Sequence, residues 1–109
     1  MKRQRLIFLL VLLAFGSNFA AAKGNPAAGR NKAQVCAACH GKDGNGTSPM
    51  FPRLAGQYPE YLVHTLQAYK NGDRSNAIMA PQAKNLSDQD IADLASYYAS
   101  LNGLKVLER

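Results

Sequence analysis

Apolar residues recur at helical spacing in two stretches of the chain. After Tyr58-Pro59-Glu60, Leu62, Leu66 and Tyr69 fall at i, i+4 and i+7, and Asn71-Gly72 stops the run, so the spacing predicts a helix with its stripe turned to a core. Ile91, Leu94, Ala95, Tyr98 and Leu101 form a second stripe. Ser87 reads as its N-cap, Asp88 and Asp90 place negative charge in its first turn, and Asn102-Gly103 marks its end. Ahead of both, Ala27, Ala28, Ala33 and Val35 with few breakers predict a helix entered at Asn25-Pro26 and leading to Cys36. The glycine-rich run from Gly41 to Gly46, continued through Thr47-Ser48-Pro49 to Phe51-Pro52, reads as irregular, as does the segment containing Met79-Ala80-Pro81. Three helices joined by loops of this length are unusual in so small a domain unless the loops wrap something.

The N-terminus carries a different pattern. Lys2, Arg3 and Arg5 precede an apolar run from Leu6 to Phe15, and Ala20-Ala21-Ala22 supplies small residues for cleavage, so residues 1–22 read as an export signal and 23–109 as the mature domain. The apolar run falls short of the roughly 20 residues a spanning helix needs, and no second one follows, so no membrane span is expected in the mature chain. Export places the protein in an oxidising compartment, with a bacterial periplasm the best fit. The signal holds three of the 13 basic residues and none of the seven acids, which lowers the net charge from +6 to +3. Scattered Lys and Arg at that charge, without interleaved aromatics, give no support to nucleic-acid binding. The remaining 87 residues can bury only a thin core of their own.

Chemistry enters at Cys36-Ala37-Ala38-Cys39-His40. C-x-x-C-H is the attachment pattern of a c-type haem: two sulfurs one helical turn apart can each bond a vinyl group, and the adjacent imidazole can ligate the iron. A thioredoxin-like dithiol would need a βαβ context, and no alternating strand pattern precedes Cys36. Structural zinc would have to use both Cys and both imidazoles, with His40 and His64 24 positions apart, far outside a finger spacing. A plain disulfide leaves His40 unexplained. One motif implies one covalent haem c per chain, and a flat apolar cofactor would supplement the thin core.

Iron held by His40 needs a sixth ligand or an open site, and that choice separates electron transfer from binding or catalysis. Met79, in a Pro-containing segment before the last helix, is the favoured candidate. Met50 lies too soon after His40 to reach the opposite face easily, and His64 falls off the Leu62, Leu66, Tyr69 stripe.

These residues resemble the class I c-type cytochromes, and among them the haem domains of cytochrome c4 and the small bacterial cytochromes c553. The resemblance runs through Val35 to Gly41, Asp43-Gly44-Asn45-Gly46, Phe51-Pro52-Arg53-Leu54-Ala55-Gly56-Gln57, Met79, and Leu86-Ser87-Asp88 on to Tyr97-Tyr98. It implies the all-α class I cytochrome c fold, with three main helices and long loops around one covalently attached haem. It implies His40 and Met79 as axial ligands, the Pro52 carbonyl hydrogen-bonded to the His40 ring, Leu54 packed on the haem, and a close crossing of the first and last helices at Gly29, with Leu94 and Tyr97 approaching it. Cytochrome c4 has two haems, whereas this chain is one domain long. The expected function is a periplasmic single-electron carrier, not an enzyme, serving transient partners such as a cytochrome complex, a terminal oxidase or a dehydrogenase. Alternatives are a haem subunit of a dehydrogenase complex, or a sensor or peroxidase-like protein with an open distal site.

Overall fold

Asn25 sets the entry to the first helix, α1 (Pro26–Lys32). Its side chain accepts from the amides of Ala27 at 2.9 Å and Ala28 at 3.2 Å, while Pro26 occupies the first turn, where no amide hydrogen is needed. The computed structural model describes residues 23–105, so the expected signal segment and its cleavage point lie outside the described residues. Hydrogen bonds from Ala33 N to Gly29 O and from Ala37 N to Ala33 O, both 2.9 Å, lead the chain into a single helical turn, α2 (Ala37–His40).

The loop beyond α2 has no regular structure up to Tyr58, as its composition predicts. Helix α3 (Pro59–Asn71) stops at Gly72, whose φ of +86° is the left-handed conformation that glycine adopts without a Cβ penalty. A short helix, α4 (Met79–Ala83), occupies the segment expected to be a loop. Pro81 falls within its first turn, where a missing amide hydrogen breaks no intrahelical bond, and Asn76 Oδ1 accepts from Ile78 N and Met79 N, both at 2.9 Å. Helix α5 (Asp88–Ala99) begins with a reciprocal cap: Ser87 Oγ accepts from Asp90 N at 3.0 Å, and Asp90 Oδ2 accepts from Ser87 N at 2.9 Å. It ends at Ala99, ahead of the expected Asn102-Gly103 stop. All regular structure among the described residues is helical.

Helix α5 packs against both α1 and α3, and α3 also holds α4. At the α1–α5 crossing, Gly29 lies so close to α5 that an added Cβ would overlap the Asp93 carbonyl oxygen and sit 2.7 Å from Tyr97 Cβ. The crossing lies at Gly29 with Tyr97 against it, as the resemblance implies, but the second close approach is by the Asp93 backbone and not by Leu94. It is locked by Asp93, only 2% exposed, whose carboxylate accepts from Asn25 N at 2.8 Å, Gln89 Nε2 at 2.7 Å and Lys32 Nζ at 2.6 Å. Lys32 also pairs with Asp90 at 2.8 Å.

The buried apolar residues are Ala33, Ala55, Leu62, Ala83, Ile91, Ala92, Leu94, Ala95 and Tyr98. Five of these nine are alanine, so large side chains contribute little to the interior and the core is as thin as the chain length predicts.

Candidate functional site

Cys36 stands at the N-terminus of α2 with helical dihedrals, φ −67° and ψ −31°, and its carbonyl accepts from Cys39 N at 3.2 Å and His40 N at 2.9 Å. The two half-buried thiols are therefore one turn apart on the same side of the chain. His40 is 6% exposed, and its Nδ1 lies 2.8 Å from the carbonyl oxygen of Pro52. A carbonyl only accepts, so Nδ1 carries the hydrogen and Nε2 keeps its lone pair for a metal.

The loop after α2 brings Pro52 to this position. Gly46 N donates to His40 O at 2.7 Å, and Thr47 donates to Cys39 O through both its amide and its hydroxyl at 3.0 Å. Gly44 O then accepts from Leu54 N at 2.8 Å and Ala55 N at 3.0 Å, folding Pro52 back over the imidazole. Gly44 has φ +75°, and a Cβ there would lie 3.0 Å from the Tyr98 ring, so both its conformation and its surroundings demand glycine.

Leu54 is half-buried and, with Cys36, Val63, Leu66 and Leu86, packs on the cluster of Ala33, Leu62, Leu94, Ala95 and Tyr98. Met79 opens α4 and is half-buried, on an element packed against α3. Met50, by contrast, is 83% exposed. His64 is exposed and lines a surface depression with Gln57, Tyr58, Glu60 and Tyr61. His40 and Pro52 thus meet directly, and Cys36 and Leu54 share one core cluster, while Met79 stands at the start of α4, which packs against α3.

Tyr98 has a part in the site beyond its place in the apolar stripe. Its hydroxyl is buried without a hydrogen-bond partner, in the core cluster against which Cys36 packs. Burial pushes the Cys36 thiol up, partly offset by the Tyr98 hydroxyl, and burial likewise pushes the Tyr98 phenol above its ordinary range. The helical spacing of α5 signals that Tyr98 is buried, but nothing in the spacing signals that its hydroxyl meets a cysteine.

The cytochrome c family model matches residues 26–102. The chain belongs to the cytochrome c family. Cytochrome c-554(548) of Halomonas halodenitrificans is 49% identical over 80 residues, covering 71% of this chain and 96% of that protein. Cytochrome c4 of Pseudomonas aeruginosa is 48% identical over 95 residues, 87% of this chain but 47% of that one. The crystal structure of reduced recombinant cytochrome c4 from Pseudomonas stutzeri superposes with a TM-score of 0.70 at 42% identity, covering 74% of this chain and 47% of that chain. This cytochrome therefore spans about half the length of its c4 relatives and nearly all of c-554(548). The fold is that of the class I cytochromes c. The chain carries one covalently bound haem c on its Cys36-x-x-Cys39-His40 motif and transfers electrons.

The local chemistry fits that group. Two thiols on one turn, a buried imidazole with only Nε2 free to ligate, and a border of half-buried Leu54, Val63, Leu66 and Leu86 form a donor set and an apolar wall suited to a flat macrocycle. Among the described residues no helix is long and apolar enough to cross a membrane.

Proposed function

We propose that this cytochrome is a periplasmic carrier of single electrons, with Cys36 and Cys39 as the thioether anchors and His40 Nε2 and the Met79 sulfur as axial ligands. Pro52 orients His40, and Leu54 packs on the haem. The observation that carries this reading is the 2.8 Å contact between His40 Nδ1 and Pro52 O, which selects the tautomer able to ligate through Nε2. Haem held here supplies the one-electron ferric–ferrous couple. Around it, the chain excludes water through its apolar wall, holds the imidazole in one orientation, and offers a methionine sulfur that favours the ferrous state and raises the potential.

The basic, apolar and small-residue pattern of residues 1–22 supports export and a mature domain of 23–109. Partners are transient redox proteins, such as a cytochrome complex, a terminal oxidase or a dehydrogenase. With a net charge of +3 outside the leader, encounter with an acidic patch should weaken as salt rises.

Optical spectra of the oxidised protein test the ligand set. The weak long-wavelength charge-transfer band of sulfur-ligated ferric haem should be present, should vanish in Met79→Ala, and should persist in Met50→Ala. Ready carbon monoxide binding by the wild type, or survival of the band in Met79→Ala, overturns the carrier reading in favour of an open-site protein. Purification from its own periplasm tests the partner class. Recovery of a free monohaem protein supports a carrier, and a complex with a dehydrogenase that persists through high salt identifies a dedicated subunit instead.

A further inference from the structure

Among the described residues, the hydroxyl of Tyr98 is the buried side-chain polar atom left without a hydrogen-bond partner. Leaving a buried hydroxyl unpaired costs stability, and phenylalanine would fill the same space without that cost. The ring has little freedom to turn away. Tyr98 is 4% exposed, sits in the core cluster, lies against Gly44, and has the Tyr97 ring at a centroid distance of 5.2 Å. Cys36 packs against the same core cluster as Tyr98, and its sulfur is the polar group that interacts with the buried hydroxyl.

We propose that Tyr98 is a positioning residue of the haem anchor, its O–H donating to the Cys36 sulfur in the mature protein. The inference rests on the reading of Cys36 as an anchor. A free thiol can both donate and accept, so it does not decide which way a neighbouring hydroxyl points. A thioether sulfur has no hydrogen and can only accept, which leaves the phenol as the donor and gives its oxygen a defined partner. Such a bond does two things. It restricts rotation about the bonds of the Cys36 linkage, and it draws electron density from the sulfur, and through it from the macrocycle, toward the phenol. Withdrawal of density favours the ferrous state, adding to the effect proposed for Met79.

Tyr98→Phe, compared with the wild type and with Tyr97→Phe as a control, tests this in the holoprotein. Tyr97 reaches only the Lys42 carbonyl, at 3.5 Å, so its substitution removes a neighbouring phenol without touching the anchor. Mass spectrometry after denaturation first establishes that wild type and variants retain one covalent haem. Loss of haem from the wild type would refute the anchor reading itself and is distinguishable from failure of the Tyr98 proposal. Resonance Raman spectra then report the thioether C–S stretch, which should shift in Tyr98→Phe, and in deuterated water should shift for the wild type and Tyr97→Phe only. The ferrous-to-ferric ratio at fixed potential should fall roughly twofold in Tyr98→Phe, about 18 mV for one electron, and stay unchanged in Tyr97→Phe. An unchanged C–S stretch in Tyr98→Phe, or a wild-type stretch insensitive to deuteration, overturns the proposal. So does a Tyr98→Phe protein that is merely more stable, which would mark the hydroxyl as an unpaired core group. If Tyr98→Phe does not mature, deuteration of the wild type decides the matter alone.

Discussion

Replacing Gly29 by alanine adds one methyl group at the point where α1 and α5 come closest, and the structure sets what that methyl must displace. The new Cβ would overlap the Asp93 carbonyl oxygen and lie 2.7 Å from Tyr97 Cβ, where ordinary contact begins at 3.4 Å. The helices must therefore part by at least 0.7 Å to relieve the Tyr97 contact alone, and further for the carbonyl. Neither obstacle is the end of a flexible side chain, so the backbone has to move, at the upper end of the roughly 1–3 kcal/mol range for overpacking. Alanine returns about 1 kcal/mol through its better helix propensity. The net loss should be about 2 kcal/mol, or a fall in Tm of about 8–16 °C for a domain of this size. Denaturant unfolding of the holoprotein, followed by far-ultraviolet circular dichroism, should show a lower midpoint at unchanged slope. Because Ala33 N hangs on Gly29 O at 2.9 Å, the displacement should also reach the turn that carries Cys36 and alter the visible dichroism of the haem. A loss below about 0.5 kcal/mol, or a gain, would mean that helix propensity outweighs overpacking and that the close crossing is not what Gly29 serves.

Two further outcomes concern charge and capping. The Lys32 ammonium beside Asp90, with the Ser87 amide, holds the Asp90 carboxyl at about 2, and Lys32, Asn25 and Gln89 hold Asp93 below the usual carboxylate range. Both folded values lie below the unfolded one of roughly 3.9, so this stabilisation is present above pH ~4 and is lost as pH falls toward 2; acid titration of stability should be shallower over that window in Lys32→Met, and an identical profile would refute the coupling. Asn76→Ala removes the side-chain acceptor of Ile78 N and Met79 N and should cost about 1 kcal/mol, measured by denaturant unfolding. On the proposed ligand set it should also speed imidazole binding to ferric haem, with an unchanged rate as the refuting result.

Legibility in the sequence follows how locally each feature is determined. Asn25 and Ser87 cap their helices as their positions predict, because a cap needs only the side chain and the amides two or three residues on. The α3 stripe and its Gly72 stop are legible for the same reason. Helix α4 is not legible because Pro81 reads as a breaker when its place within the first turn is unknown, and because Asn76, whose Oδ1 holds the amides of Ile78 and Met79, stands apart from any apolar run that would announce a helix. Asp93 gave no signal at all. It lies beside the apolar stripe of Ile91, Leu94, Ala95 and Tyr98, and its burial depends on Lys32, Asn25 and Gln89 converging on it from both helices. The contact between His40 and Pro52 was implied by the family resemblance, since spacing alone does not specify a carbonyl direction.

The same distinction separates the two sides of the haem site. The side that holds His40 is built from one continuous stretch, Cys36 to Ala55, tied to itself by the bonds at Cys39 O, His40 O and Gly44 O. Asn45 Nδ2 on Asn102 O at 3.1 Å and Leu104 N on Ala55 O at 2.7 Å tie it to the chain that follows α5. The side proposed to offer Met79 rests on a five-residue helix, placed by its packing against α3, by Asn76 Oδ1 on the amides of Ile78 and Met79, and by backbone bonds at Asn76 O, Ala80 O and Ala83 O. Fewer local bonds restrain it, so local opening there costs less than opening around His40. On the proposed ligand set, exchange should therefore occur at the methionine first. The proposed iron–sulfur bond is then the point at which strain, acid or a competing ligand converts a carrier into a protein with an open coordination position, while the histidine and the two thioethers keep the haem in place.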